Sequence, residues 1–266
     1  MTDTSANTTA NASADVTTVR KSGGRGRAIA AQTRIELMMT LRRGESLLVA
    51  FVIPLGVLVF FSKVDAVNTT MKHPVDFLVP GVLALAVMSS AMVSLGIATG
   101  FERRYGVLKR LGSTPLSRFG LLAAKTVTVL AIEAVQATVI VLTGIALGWE
   151  ATGGLVGAVF LILLGTVAFA GIGMLMAGTL RAEANLAAAN GLFLVLLFLG
   201  GMAYPLAKLP SALETFAKAL PAAALSETLR SVLTPGVAFP TGELAVLVIW
   251  AVAAPLLAAS FFSWEE

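Results

Sequence analysis

Long apolar runs separated by polar stretches dominate the chain from about residue 47 onward. Six of these runs, at Leu47–Ser62, Phe77–Thr99, Gly120–Leu147, Gly154–Leu180, Asn185–Tyr204 and Leu244–Phe262, are candidates to cross a hydrocarbon core of about 30 Å. The first is short and carries Pro54, which a membrane helix tolerates because neighbouring groups re-satisfy the freed carbonyl. Ahead of it, over about Arg27–Arg43, Ile29, Ile35, Leu37, Met38 and Leu41 recur at mostly helical spacing among Arg34, Glu36, Arg42 and Arg43. This pattern predicts a basic amphipathic helix lying in the membrane interface. Residues 1–26 are rich in Thr, Ser, Ala and Asn, without apolar period or h-region, and are expected as a disordered cytoplasmic tail that is not a signal peptide. Residues 27–266 are expected to form one six-span domain of the all-α integral membrane class.

Two connections are more than turns. In Gly100–Ser117, Phe101, Tyr105, Leu108 and Leu111 share a helical face, Arg103, Arg104, Lys109 and Arg110 surround it, and Pro115 ends the pattern. A short helix across the cytoplasmic membrane surface is predicted there. The stretch Pro205–Glu243 is far longer than a helix hairpin requires. Its residues Leu209, Leu213, Phe216, Leu220, Leu225, Leu229 and Val232 predict two short amphipathic helices broken at Pro221, dipping into the outer leaflet or capping the bundle.

Composition names the solvent. Hydrophobic residues make up 57% and charged residues 13% of the 266, where an ordinary soluble domain has roughly a quarter charged. With a mean hydropathy of +0.88, a disordered chain is excluded and a bilayer is expected. No cysteine is present, which removes disulfides, thiolate metal sites and cysteine nucleophiles, and the single His73 leaves no His-rich zinc site. A net charge of +4 would suit a nucleic-acid binder only if the basic residues formed a patch. Instead they flank the spans, 14 on one side and five on the other, which predicts both termini in the cytoplasm and no nucleic-acid partner. Asn68-Thr69-Thr70 fits a glycosylation pattern too short and common to carry weight. No GxxxxGK[ST] phosphate loop occurs, so ATP is not expected to bind this chain.

The segment Phe101-Glu102-Arg103-Arg104-Tyr105-Gly106-Val107-Leu108-Lys109-Arg110-Leu111 followed by Thr114-Pro115, and the later series Tyr204-Pro205, Leu209-Pro210, Leu220-Pro221 ending in Glu227 and Arg230, carry a resemblance. Together, in this order on a six-span chain, they resemble the membrane subunit of a type-2 ABC exporter, the family of drug-resistance and lipid or polysaccharide export permeases. The first segment is similar to the family's E-R-x-x-G-x-L-x-x-L-x-x-x-P coupling helix. One departure is Ala222-Ala223-Ala224, where the family often has a larger apolar residue and then a polar or aromatic one.

The resemblance implies a separate ATP-binding subunit that holds ATP and magnesium, a second copy or related permease, no cofactor in this chain, and multi-pass residence in the cytoplasmic membrane. It implies that Glu102 and Arg104 contact the ATPase, Gly106 permits close approach, and Tyr105, Leu108 and Leu111 anchor the element. Arg103 belongs to the same coupling set, with the alternative that Arg103, Lys109 and Arg110 are topology determinants. Spans two and five would line a route between two bundles, and Tyr204, Pro205, Pro210, Pro221, Glu227 and Arg230 would belong to an external gate.

Glu133 is the one acid deep within a predicted span, with Gln136 on the same helical face. An intramembrane carboxyl is costly. It could line the substrate route, accept a cationic group, hold a proton, or bond to another helix. Asn185 and Asn190 could likewise serve the route, packing or a helix start. Gly96-x-x-x-Gly100, Gly144-x-x-x-Gly148 and Gly171-x-Gly173 read as close-packing positions. The expected function is a permease moving a hydrophobic or amphipathic solute such as a drug or lipid. The alternative is an integral membrane lipid-modifying enzyme of the prenyl- or phospho-alcohol transferase class. It would need clustered acids to hold a divalent metal and diphosphate, and the four Asp residues lie far from any such cluster.

Overall fold

A computed structural model describes residues 25–42, 44–63, 74–107, 118–150 and 153–263, and every regular element among them is helical. In chain order these are α1 (Arg25–Arg42), α2 (Gly44–Lys63), α3 (Pro74–Val87), a π-helical segment (Met88–Ser94), α4 (Leu95–Arg104), α5 (Arg118–Ala146), α6 (Leu155–Thr179) and α7 (Ala182–Leu199). A 3-10 turn (Leu206–Lys208), α8 (Ser211–Lys218), α9 (Pro221–Leu233) and α10 (Thr241–Phe261) complete them. Residues 1–24 of the expected tail lie outside the described residues, as do Asn68 and the candidates Leu108 and Leu111 with Lys109, Arg110 and Pro115. The last two tail positions, Arg25 and Gly26, already belong to α1.

Among the described residues, five stretches are long and apolar enough to cross a membrane: Pro74–Arg104, Ala124–Ala146, Leu155–Thr179, Ala182–Leu199 and Thr241–Phe261. The sixth expected span is α2, which continues through Pro54 and has a shorter apolar stretch at Phe51–Lys63. Two boundaries differ from the periodicity. Span two comprises α3, the π segment and α4, so Gly100–Arg104 extend it and do not start a separate surface helix. The helix breaks only at Tyr105 and Gly106, whose φ of 68° is a left-handed conformation that glycine adopts without steric cost. Span five ends at Leu199, short of Tyr204, because the chain turns at Gly200 and Gly201.

The centre of the bundle is α6, packed against α4, the π segment, α9 and α10. It has almost no amphipathic bias to orient it, and its fit comes from glycines. A Cβ on Gly173 would lie 2.6 Å from the Met92 carbonyl oxygen, and one on Gly171 would lie 2.5 Å from the Pro255 nitrogen. Across this contact, a Cβ on Gly96 would be 3.0 Å from the Gly173 carbonyl oxygen. Without a hydrophobic drive between helices in lipid, such close backbone approach supplies the packing attraction. Gly144 also packs closely, against Val79, but Gly148 meets nothing within 4 Å and has φ 94°. It turns the chain after α5 and does not act as the second half of a packing motif.

The expected break at Pro221 is the first turn of α9, where proline's missing N–H costs nothing. Nearly all of α9 is buried among α3, α6, α7 and α10, whereas α8 is largely exposed. The three alanines of the departure are fully buried, and Ala222 Cβ sits 3.0 Å from where a Gly200 Cβ would be. Larger side chains there would push α9 off the end of α7.

Gly173→Ala is expected to cost about 1–3 kcal/mol of stability through overpacking. Gly56→Ala, which meets nothing within 4 Å, should leave stability unchanged or slightly raised. The thermal midpoints of the two variants in detergent check this.

Candidate functional site

The end of the bundle where span two finishes carries three consecutive charged residues, and each is held by a different element. Glu102 Oε2 is 2.6 Å from the ammonium of Lys125 on α5, which is also 3.1 Å from Glu36 Oε1 on α1. The Lys125 side chain is only 2% exposed, and the two carboxylates supply the pairing that a buried cation requires. Gln32, one turn before Glu36, donates a hydrogen bond to the same Glu36 oxygen at 3.0 Å. Arg103 is buried and donates to the Leu180 carbonyl at 2.5 Å, satisfying the C-terminal end of α6 where a cation is favoured. Arg104 pairs with Glu183 in the first turn of α7, an exposed contact of small energetic weight.

Beyond these anchors the chain opens outward. Tyr105 is 69% exposed, its ring stacked 6.2 Å from that of Phe101, and Gly106 has open space around it. Glu102 and Arg104, expected as contacts with a partner, therefore have partners within the chain, and the outward-facing residues are Tyr105, Gly106 and Val107. Beside them, α1 turns Glu36 inward while Ile35, Met38 and Met39 stay exposed.

A second polar group lies within the bundle. Glu133 Oε2 is 2.5 Å from the Thr166 hydroxyl, which also lies 2.8 Å from the Ile162 carbonyl, and Ser90 of the π segment donates to Gln136 Oε1 at 2.7 Å. Asn185 donates to the Gly96 carbonyl at 2.8 Å and covers Gly100, where a Cβ would be 2.6 Å from its amide nitrogen. All four of Glu133, Gln136, Asn185 and Thr166 are buried inside one protomer. Asn190 is separate: it lies on the exposed face of α7 and donates to the Leu186 carbonyl of its own helix.

At the opposite end, Arg230 ties α9 to its surroundings. Its guanidinium donates to Glu227 Oε1 at 2.5 Å and to the Gly201 carbonyl at 2.8 Å, and stacks 3.8 Å from the centroid of Phe77 at the start of α3. Ser226 donates to the Gly200 carbonyl at 2.5 Å, and Trp250 of α10 donates to the Ala219 carbonyl at 3.0 Å. Of the six gate candidates, Glu227, Arg230 and Pro221 are thus brought together on α9. Tyr204 is half exposed beneath the Lys208 ammonium, with Pro205 and Pro210 flanking the 3-10 turn before α8.

Sequence reasoning counted Lys125 only as a basic residue near a span and passed over Glu36. A lysine in the second turn of a mostly apolar helix, and one acid in a helix of arginines, were the available signals.

Among the described residues, five helices long and apolar enough to span, a shorter sixth apolar one and a polar junction at one end define an all-α multi-pass membrane protein. The family model described as ABC-2 type transporter matches residues 27–234, and the chain belongs to that family. It is the permease component of an ABC-type transporter, a transport part and not itself a catalyst. No curated protein matches the chain.

Arg230→Met removes two hydrogen bonds and a cation–π contact while leaving the Gly201 carbonyl unpaired, and is expected to cost about 1–3 kcal/mol. Arg230→Lys should recover only part of this, since an ammonium lacks the planar fork that serves both acceptors and the ring. Thermal midpoints of the two variants measure the difference.

Proposed function

We propose that this permease exports a hydrophobic or amphipathic solute across the cytoplasmic membrane, driven by a separate ATP-binding subunit. The junction of α4, α5 and α1 then lies on the cytoplasmic side, as the distribution of basic residues predicts, and the α9 end lies outside. The observation that carries the reading is that Glu102, Arg103 and Arg104 are fastened to α5, α6 and α7 respectively, while Tyr105 and Gly106 project outward. A push on the projecting residues reaches three spans at once, which is what transmitting an ATP-driven movement requires.

In this reading the charges position the coupling element, and Tyr105, Gly106 and the residues after them, including Leu108 and Leu111, meet the ATPase. Two permeases enclose the route. The exposed face of α7, with Asn190, borders it, whereas Glu133, Gln136 and Asn185 support it from within each bundle. Arg230 and Glu227 hold α9 as the outer closure. The apolar character of the spans favours drug-like molecules or lipids over sugars and ions.

The test is purification of the chain with a candidate P-loop ATP-binding subunit, followed by ATP hydrolysis and dye or lipid export in vesicles. Gly106→Leu, which forces a branched side chain into a left-handed conformation at about 1–2 kcal/mol, is expected to reduce coupled export at least tenfold. Tyr105→Ala should do the same with the fold intact. Export by the chain with no ATPase present would overturn the proposal.

A further inference from the structure

The mechanism so far uses the contacts of span two with α5, α6 and α7, but the Lys125 ammonium has a second carboxylate. Glu36 belongs to α1, a helix that is separated from Glu102 by the whole of α2 and α3 in sequence and meets it at one nitrogen atom. The distances of 2.6 Å to Glu102 and 3.1 Å to Glu36 leave no room for water between either pair. Both carboxylates are 13% exposed, so separating them from Lys125 would pull opposite charges apart in a site largely shielded from water. Further along, Thr128 Oγ1 of α5 lies 3.5 Å from the Thr33 carbonyl of α1. After one residue α1 runs into α2, the first apolar helix.

We infer that Lys125 is a positioning residue that yokes α1 to the end of span two, so that a displacement of the coupling element carries α1, and through it α2, along with spans two and three. This inference rests on the coupling role proposed above and adds a fourth path to it. The apolar residues Ile35, Met38 and Met39 on the open side of α1 fit the role. They allow the helix to slide within the membrane interface while its acidic side stays attached to the bundle.

Removing Lys125 would take from two buried carboxylates the cation they share, whereas removing Glu36 leaves the ammonium paired with Glu102. Glu36→Ala and the isosteric Glu36→Gln therefore cut the yoke without dismantling the junction, and both are measured so that one folded variant suffices. The chain has no cysteine, so spin labels attach only where cysteines are introduced. Label pairs at Met38 and Ser260, and at Val107 and Ser260, report α1 and the coupling element against α10. They are read in nanodiscs on the complex with the ATP-binding subunit, without nucleotide and with ATP and vanadate.

In the otherwise unaltered chain both distances are expected to shift with nucleotide. In the Glu36 variants the Val107–Ser260 shift should persist and the Met38–Ser260 shift should be lost, with ATP-driven export reduced several-fold. The proposal is overturned if the Met38–Ser260 shift survives in the variants, or is absent from the parent while Val107–Ser260 responds. If neither distance responds, or no ATP-binding subunit associates, the coupling reading falls and takes this inference with it.

Discussion

Span two and α6 meet backbone to backbone, and the rest of the bundle is arranged around that contact. At Gly173 the α6 chain lies against the Met92 carbonyl, and at Gly96 span two returns the approach. Two helices this close leave no space for side chains between them. Asn185 of α7 then has a carbonyl within reach at Gly96 and a shallow site over Gly100. In a medium that offers no water to an exposed amide, this is the kind of site that fixes a helix in place.

The polar groups divide by depth. Within the bundle they are pairings among hydroxyls, amides and one acidic side chain, as between Ser90 and Gln136 or Thr166 and Glu133. At the two ends they involve cations: Lys125, Arg103 and Arg104 at one, Arg230 at the other. The Arg230 arrangement draws on a carboxylate, a carbonyl and an aromatic face, so α9 is joined to α3 and to the turn after α7 through one side chain. The contrast suits a membrane bundle, where charge is cheapest near the interfaces and each buried cation must be matched.

Most of the architecture could be read from the chain. Apolar runs located the spans, and Pro221 located the break between the outer helices, because both depend on local properties of consecutive residues. The end of span two was misjudged because the charged stretch after Gly100 has the same amphipathic spacing whether it continues a span or lies flat. Only the φ of Gly106 decides where the helix stops. The pairing of Glu102 was hidden for a different reason: Lys125 and Glu36 are near it only after five helices have assembled, and no spacing rule connects residues 36, 102 and 125. Similarly, Gly144 and Gly148 share a motif spacing, but one faces α3 and the other turns the chain.

The π segment at Met88–Ser94 has a consequence for the azimuth of everything below it. A widened turn accommodates an extra residue, and each residue of an α-helix advances the chain by about 100°. Were span two α-helical throughout, α4 would be rotated by roughly that angle relative to α3. Glu102 would then point away from Lys125, and Arg103 away from the end of α6. The local loosening of one helix thus sets the compass bearing of a junction some ten residues farther along the same span.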